Sequence, residues 1–573
     1  MVKKLFRNGV DLFLKKQTTI LSAAAIISAT YLLSAGLGLA RDRMMAERFL
    51  PSLLGIYWAA DRIPSFIFNL VVIGALSSSF IPVFTRCLNR DGRRQSEEFA
   101  SVIVNITLLV FAALSLLVVI FSSPLSKIMA PPGTSPADTH LLADLLSLLF
   151  LAQFFLLLSN FVTSVLQSFQ RFLLPALSPL FYNLGIVLGI LFLSGKFGIY
   201  AAAYGTIIGA LLHLLIQLPL LPALNIRYRL SFNYRLAGVA EVWRLMGPRI
   251  FGIAASQISS LVDTLLSASI SFASVTYFTF AQHLQNLPVS LFGAAIAQAA
   301  LPILSVEAEK DDYSSFRKQF LTALYQMTFL LVPASVVILV LRLPAVRLAF
   351  GASLFDWTAT VATGYVLAFF ALSILAQAAV YLLARCFYAL HDTATPVKIS
   401  LVTVLVNVFF SLLFVKFYHF QVWSLGLSFS LSTCLNALLL VYFLGRKVGG
   451  FNLKKDVLPF IKIGLSGVAM ALSIYLPLKI LDKGAWGKYL NPLPFSLPEN
   501  FDVLILDTRY TGNLIILTAV SAISGFLVYL VSAYWWRLPE LNVFWELVGS
   551  SFRKIFSRVN SLLSRTGPIN QIE

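Results

Sequence analysis

About fourteen stretches of some twenty predominantly apolar residues follow one another along this chain, each long enough to carry a helix across the ~30 Å core of a bilayer. Lipid offers a backbone amide no partner, so such runs must be helices bonded within themselves. The expected fold class is therefore an all-α polytopic membrane protein. Composition agrees: of 573 residues, 58% are hydrophobic and only 12% charged, with a mean hydropathy of +0.84. That is more apolar surface than a soluble core could bury.

Charges interrupt the first two runs. Within Gly36–Arg86, the residues Arg41, Asp42, Arg43, Asp61 and Arg62 stand inside or at the ends of apolar segments. An ionisable group is costly there unless it faces a wet cavity or a partner, so a charged hollow inside the membrane is expected. For Arg43 and Arg48 a loop at the membrane surface is the competing reading. Pro64 and Pro82 bracket a Gly74-Ala75 step, which predicts a bent second span packed closely against its neighbours.

The formal charge of +18 arises from 43 Lys and Arg against 25 Asp and Glu. These cations come in short groups between apolar runs rather than along one face, which points to lipid headgroups and not to nucleic acid. Loops after even-numbered spans hold Arg86, Arg90, Arg93 and Arg94, then Arg227, Arg229 and Arg235, then Lys310, Arg317 and Lys318, then Arg446, Lys447, Lys454 and Lys455. Most other loops are poorer in charge, so the positive-inside rule places both termini in the cytoplasm. Residues 1–17 form a basic amphipathic lead-in, and 537–573 a basic amphipathic tail, both suited to a membrane surface. No small-residue cleavage site follows the first apolar run, which is expected to be retained. Cys87, Cys386 and Cys434 are too scattered for a disulfide framework or a zinc site, and no phosphate-binding Gly-Lys-Ser/Thr loop is present.

The chain also repeats. IPSFIFNLVVIGALSSSFIPVF in the second span is echoed by LPVSLFGAAIAQAALPIL in the eighth, and LQSFQRFLLPALSP by ARCFYALHDTATP. Each pair lies six spans apart, which predicts two six-helix lobes in the same orientation with a substrate path between them. The expected divisions are a first lobe at 18–224, a cytoplasmic linker at 225–240 and a second lobe at 241–445. Two extra spans at 446–536 enclose an external loop at 482–511.

The candidate chemistry lies in intramembrane polar groups: Arg41, Asp42, Asp61 and Arg62 in the first lobe, and Arg249, Gln257, Asp263, Gln282 and His283 in the second. Arginines at a cavity wall make charge-assisted, often bidentate bonds to phosphate oxygens. Equally, they could pair with Asp42, Asp61 and Asp263 and hold helices together. A buried Asp263 with no basic neighbour in sequence requires a counter-ion or a proton.

Read in order, GLGLARD, IPSFIFNLVVIGALSSSFIPVFTR, MGPRIFGIAASQISSLVDT, LPVSLFGAAIAQAALPILS and CFYALHDTATPVK resemble the MurJ (MviN) family of lipid II flippases. That family belongs to the multidrug/oligosaccharidyl-lipid/polysaccharide exporter superfamily. The resemblance implies fourteen helices moving undecaprenyl-diphosphate-linked disaccharide-pentapeptide from the inner to the outer leaflet of the bacterial cytoplasmic membrane for peptidoglycan synthesis. It also implies a monomer associated with cell-wall synthesis machinery, and no enzymatic activity. Arg41 and Asp42 match the family's Arg-Asp pair, and Arg62, Arg249 and His283 complete the implied substrate set. Asp263 and Asn407 match ligands for a sodium ion, with Ser411 in place of a carboxylate. Ala35, Phe68 and His283 stand where members carry arginines, so the cavity is less cationic than theirs. A flippase for another polyprenyl-linked glycan, a small-molecule antiporter and a non-transporting envelope scaffold are the alternatives; the thirteenth and fourteenth spans argue against the antiporter.

Overall fold

The structure, a computed structural model, describes residues 20–75, 79–236, 238–310, 312–481, 506–508 and 510–546. The side chains of 20–29, 73–75, 245, 247–249, 251–253, 255 and 453 are outside the described set. So are the 1–17 lead-in, most of the 482–511 loop, and the tail from 547 onward.

Among the described residues every regular element is a helix. The long ones are α1 (Ile20–Arg48), α2 (Pro51–Ala75), α3 (Gly92–Ile120), α4 (Pro136–Ser168), α5 (Leu173–Phe197), α6 (Tyr200–Leu215) and α7 (Val239–Ile270). They continue as α8 (Phe272–Pro288), α9 (Ser314–Val340), α10 (Trp357–Ala389), α11 (Ala394–Leu412), α12 (Trp423–Lys447), α13 (Leu458–Ile480) and α14 (Thr511–Trp535). Eleven described helices are long and apolar enough to cross a membrane. Three further helices, α1, α2 and α7, are 29, 25 and 32 residues long, and these carry Arg41 and Asp42, Asp61 and Arg62, and Asp263.

The chain forms two compact units. The first comprises residues up to Leu287 together with Ala345–Ser373 and Thr393–Leu439. Its tightest junction joins α5 to α6, where Gly185-x-x-x-Gly189 faces Gly205-x-x-x-Gly209. A Cβ at Gly189 would come within 2.3 Å of the Gly205 Cα, and one at Gly185 equally close to the Gly209 Cα. Small residues at that spacing let two backbones touch, the main source of helix attraction where lipid removes the hydrophobic drive. Phe80 is fully buried and stacks on Phe84 and Phe99, with Phe161 edge-on.

The second unit comprises Pro288–Pro344, Ile374–Asp392 and the chain from Leu440 onward. After Pro288 a π-helical turn, Val289–Ala294, precedes a helix over Ala295–Ala308. Tyr529 of α14 is fully buried and donates its hydroxyl proton to the Phe329 carbonyl (2.8 Å). Gly467 and Gly525 receive Val332 and Ile474.

One detail of the sequence repeat is visible in the backbone. Past α4, Gln170 has φ 59° and Arg171 N–H bonds the Leu166 carbonyl (2.9 Å); past α10, His391 has φ 56° and Asp392 N–H bonds the Phe387 carbonyl (2.8 Å). Both copies thus end a helix with the same left-handed cap on a non-glycine residue.

Candidate functional site

Ser34, Gly38, Arg41 and Asp42 recur on α1 at intervals of three and four, so they share one helical face. With Tyr31, Ala35, Leu39, Asn183 of α5 and His283, Asn286 and Leu287 of α8, that face lines a cleft of about 240 Å³. The first unit supplies every one of these residues.

A continuous polar chain crosses the cleft. Arg41 directs Nε and Nη2 at Asp42 Oδ1 (2.9 and 2.7 Å) and Nη1 at Asn183 Oδ1 (3.0 Å). Asp42 Oδ2 lies 2.7 Å from His283 Nδ1. Asn183 is fixed in turn, its Nδ2 donating to the Ser34 hydroxyl (3.2 Å) and the Pro179 carbonyl (3.1 Å). The Trp58 ring lies against this chain, its centroid 5.8 Å from the Arg41 guanidinium carbon and edge-on to His283 at 5.6 Å. Asp42 is 2% exposed at its side chain, Arg41 14% and His283 29%, so the guanidinium and the imidazole are more open to the cleft and the acid lies behind them. Such a pair persists in a low-dielectric site because each charge is met and hydrogen-bonded.

The structure thus brings Arg41, Asp42 and His283 together, with Ala35 on the wall. Phe68 does not line the cleft. Arg62 is not part of it either; it lies within Coulomb reach of Asp61 and Asp263. Asp61 accepts from Ser65 Oγ (2.8 Å) and Gln153 Nε2 (3.4 Å). Arg249 lies on α7, its side chain outside the described residues.

Asp263, Asn407 and Ser411 also meet, in the same unit. Asn407 Nδ2 donates to Asp263 Oδ1 and Oδ2 (3.3 and 3.2 Å) and to Ser259 Oγ (2.9 Å), and Ser411 Oγ donates to Asp263 Oδ1 (3.1 Å). Ser432 Oγ approaches Asn407 Oδ1 at 3.4 Å. Five neighbouring side chains thus offer hard oxygens, with one carboxylate among them. In this arrangement the Asn407 amide nitrogen satisfies the carboxylate.

Asn183, Trp58, Gln153 and Ser259 escaped the sequence reading. The one available signal was a lone amide within an apolar run, as in LFYNLGIV and LAQFFLLL.

Helices throughout the described residues, eleven of them long and apolar enough to cross a membrane, and charged side chains gathered in a cleft define the class of polytopic membrane proteins. A family model described as "Lipid II flippase MurJ" matches residues 49–493, and the chain belongs to that family. The probable lipid II flippase MurJ of Buchnera aphidicola subsp. Acyrthosiphon pisum is 26% identical over 472 residues, 82% of this chain and 92% of that relative. The one from Haemophilus influenzae is 28% identical, covering 78% and 90%, and the lipid II flippase MurJ of Burkholderia cenocepacia is 28% identical, covering 79% and 88%. Among solved structures, a lipid II flippase MurJ in an inward closed conformation superposes with a TM-score of 0.72 at 23% identity, over 90% of this chain and 99% of that one. An inward-facing multidrug resistance MATE transporter of the MOP superfamily reaches 0.59 at 14% identity, over 74% and 98%. The protein is therefore a multi-pass flippase of the MurJ family and not an enzyme.

Proposed function

We propose that this chain moves lipid II, as undecaprenyl-diphosphate-linked disaccharide-pentapeptide, from the inner to the outer leaflet of the cytoplasmic membrane by alternating access, with the α1–α5–α8 cleft receiving the diphosphate. The observation that carries this reading is the Asn183–Arg41–Asp42–His283 chain. Arg41 already presents Nε and Nη2 to one carboxylate oxygen, Asp42 Oδ1, and a phosphate oxygen can accept from the same edge of the guanidinium. An arriving diphosphate can replace Asp42 on that side of the guanidinium while Nη1 stays on Asn183, so the cation need not reorient. Asp42, displaced, keeps His283 as its partner. His283 then supplies the position where other members hold an arginine; Arg62, outside this cleft, and Arg249 are the remaining cations the family resemblance offers the substrate. Asp263, Ser411, Ser259 and the Asn407 carbonyl, once its amide is turned over, would hold sodium; a bound sodium supplies positive charge against the Asp263 carboxylate.

The two termini face the cytoplasm in this account, and the protein works as a monomer beside the cell-wall synthesis machinery. Complementation of a conditional flippase-deficient bacterium tests it. Rescue is expected, whereas stable expression without rescue would favour the glycan-flippase or scaffold reading.

A further inference from the structure

Residues 225–236, between α6 and α7, contain no helix, yet their backbone is bonded along one face of α3. Arg227 N–H reaches Glu97 Oε1 (3.3 Å), Arg229 N–H reaches Ser101 Oγ (3.0 Å), and the Ser231 carbonyl accepts from Asn105 Nδ2 (2.8 Å). Tyr228 adds a hydroxyl bond to Asn105 Oδ1 (2.6 Å), and Ser231 one to Glu98 Oε1 (3.2 Å). Glu97, Ser101 and Asn105 are all buried and stand at i, i+4 and i+8, a polar stripe on a helix otherwise apolar enough to cross a membrane. Eight residues of helix rise about 12 Å, so this strap runs about two turns along α3, starting about one turn in from the end that carries Arg93 and Arg94.

The side chains sort themselves by polarity along that descent. Arg229 has its backbone at Ser101, but its guanidinium turns back one helical turn to Glu97 (3.5 Å), where Arg93 also points (3.6 Å). A basic side chain that lies along apolar surface and returns its charge toward the polar end is how arginine behaves at a bilayer edge. The outward positions alternate: Tyr228 is 63% exposed, Leu230 78%, Phe232 53% and Tyr234 65%. Arg227 and Arg235 are exposed among them, with the Arg235 guanidinium 5.7 Å over the Tyr234 ring. The segment 225–236 holds three arginines and no acidic residue, and Arg90 and Arg94, on either side of the start of α3, are also exposed.

We propose that the 225–236 strap is a docking surface for anionic phospholipid headgroups. Arg227 and Arg235 take the phosphates, Leu230 and Phe232 enter the acyl boundary, and Tyr234 sits at headgroup level, as aromatic side chains do at membrane interfaces. The charge of the strap selects anionic lipid over neutral lipid. Its pinning two turns down a membrane-length helix favours a lipid surface over a soluble acidic protein, which would require no such depth.

The full-length protein in nanodiscs tests this, with Leu230→Cys carrying an environment-sensitive fluorophore and Cys434→Ala removing the one partly exposed native thiol. Discs of phosphatidylcholine with phosphatidylglycerol would carry a headgroup nitroxide on one lipid or the other. The strap should show blue-shifted emission, weak quenching by aqueous iodide, and quenching by nitroxide on phosphatidylglycerol several-fold above that by nitroxide on phosphatidylcholine. Arg227→Gln with Arg235→Gln should equalise the two lipids. Dominant iodide quenching would overturn the proposal, as would equal quenching by both lipids in the parent protein. The parent comparison stands even if the double variant does not fold.

Discussion

Asp42 divides its two oxygens between a guanidinium and an imidazole and shows almost none of its surface to the cleft, and in the proposed function it holds the place an arriving diphosphate would take. The adjacency of Arg41 and Asp42 was legible in the sequence, because two charges at the end of an apolar run have few places to go. Their third partner was not. Asn183 lies 142 positions from Arg41, and nothing local distinguishes it from any other amide in an apolar helix. Asp263 is a similar case: its need for a partner could be read from burial, and Asn407 and Ser411 could be matched to it through a family pattern. The direction in which the Asn407 amide points is a tertiary fact. Sodium should raise the melting temperature of the wild-type protein above its value in potassium, and Asp263→Asn should remove that difference along with any sodium dependence of flipping. An unchanged sodium dependence in the variant would contradict the sodium proposal.

Helix α5 shows how element-level contacts follow from small residues. Gly189 meets backbone on α6, whereas a Cβ at Gly195, on the same helix, would meet nothing within 4 Å. Gly189→Val must therefore push α5 from α6, an overpacking that costs on the order of 1–3 kcal/mol. Lower thermal stability and expression are expected for Gly189→Val, and near-wild-type behaviour for Gly195→Ala; equal tolerance of both would refute the contact. The helices themselves were the most legible part of the chain, since twenty apolar residues leave lipid-embedded backbone no other regular form. Their pairing was less so: the two GxxxG spacings are visible in NLGIVLGI and YGTIIGA, but that they face each other is decided by how the turn between α5 and α6 folds.

The whole molecule has an orientation in the membrane and a task there. With both termini cytoplasmic, a thiol reagent that cannot cross the membrane should label Pro132→Cys in intact cells and leave Asn89→Cys unlabelled; both positions are exposed and lie outside the long helices. Labelling at Asn89 would reverse the orientation. The task turns on whether Arg41 meets the diphosphate or only holds Asp42. Removing one partner of a buried charge pair costs on the order of 2–5 kcal/mol, enough to abolish binding of a scarce lipid or to destabilise the fold, so loss of function in a single variant would not distinguish the two. The decisive measurement is lipid II flipping in proteoliposomes, alongside melting temperature, for Arg41→Ala alone and combined with Asp42→Asn. The account predicts that neutralising Asp42 restores any lost stability while flipping stays abolished; recovery of flipping in the double variant would show that Arg41 serves only its acid and would contradict the central claim.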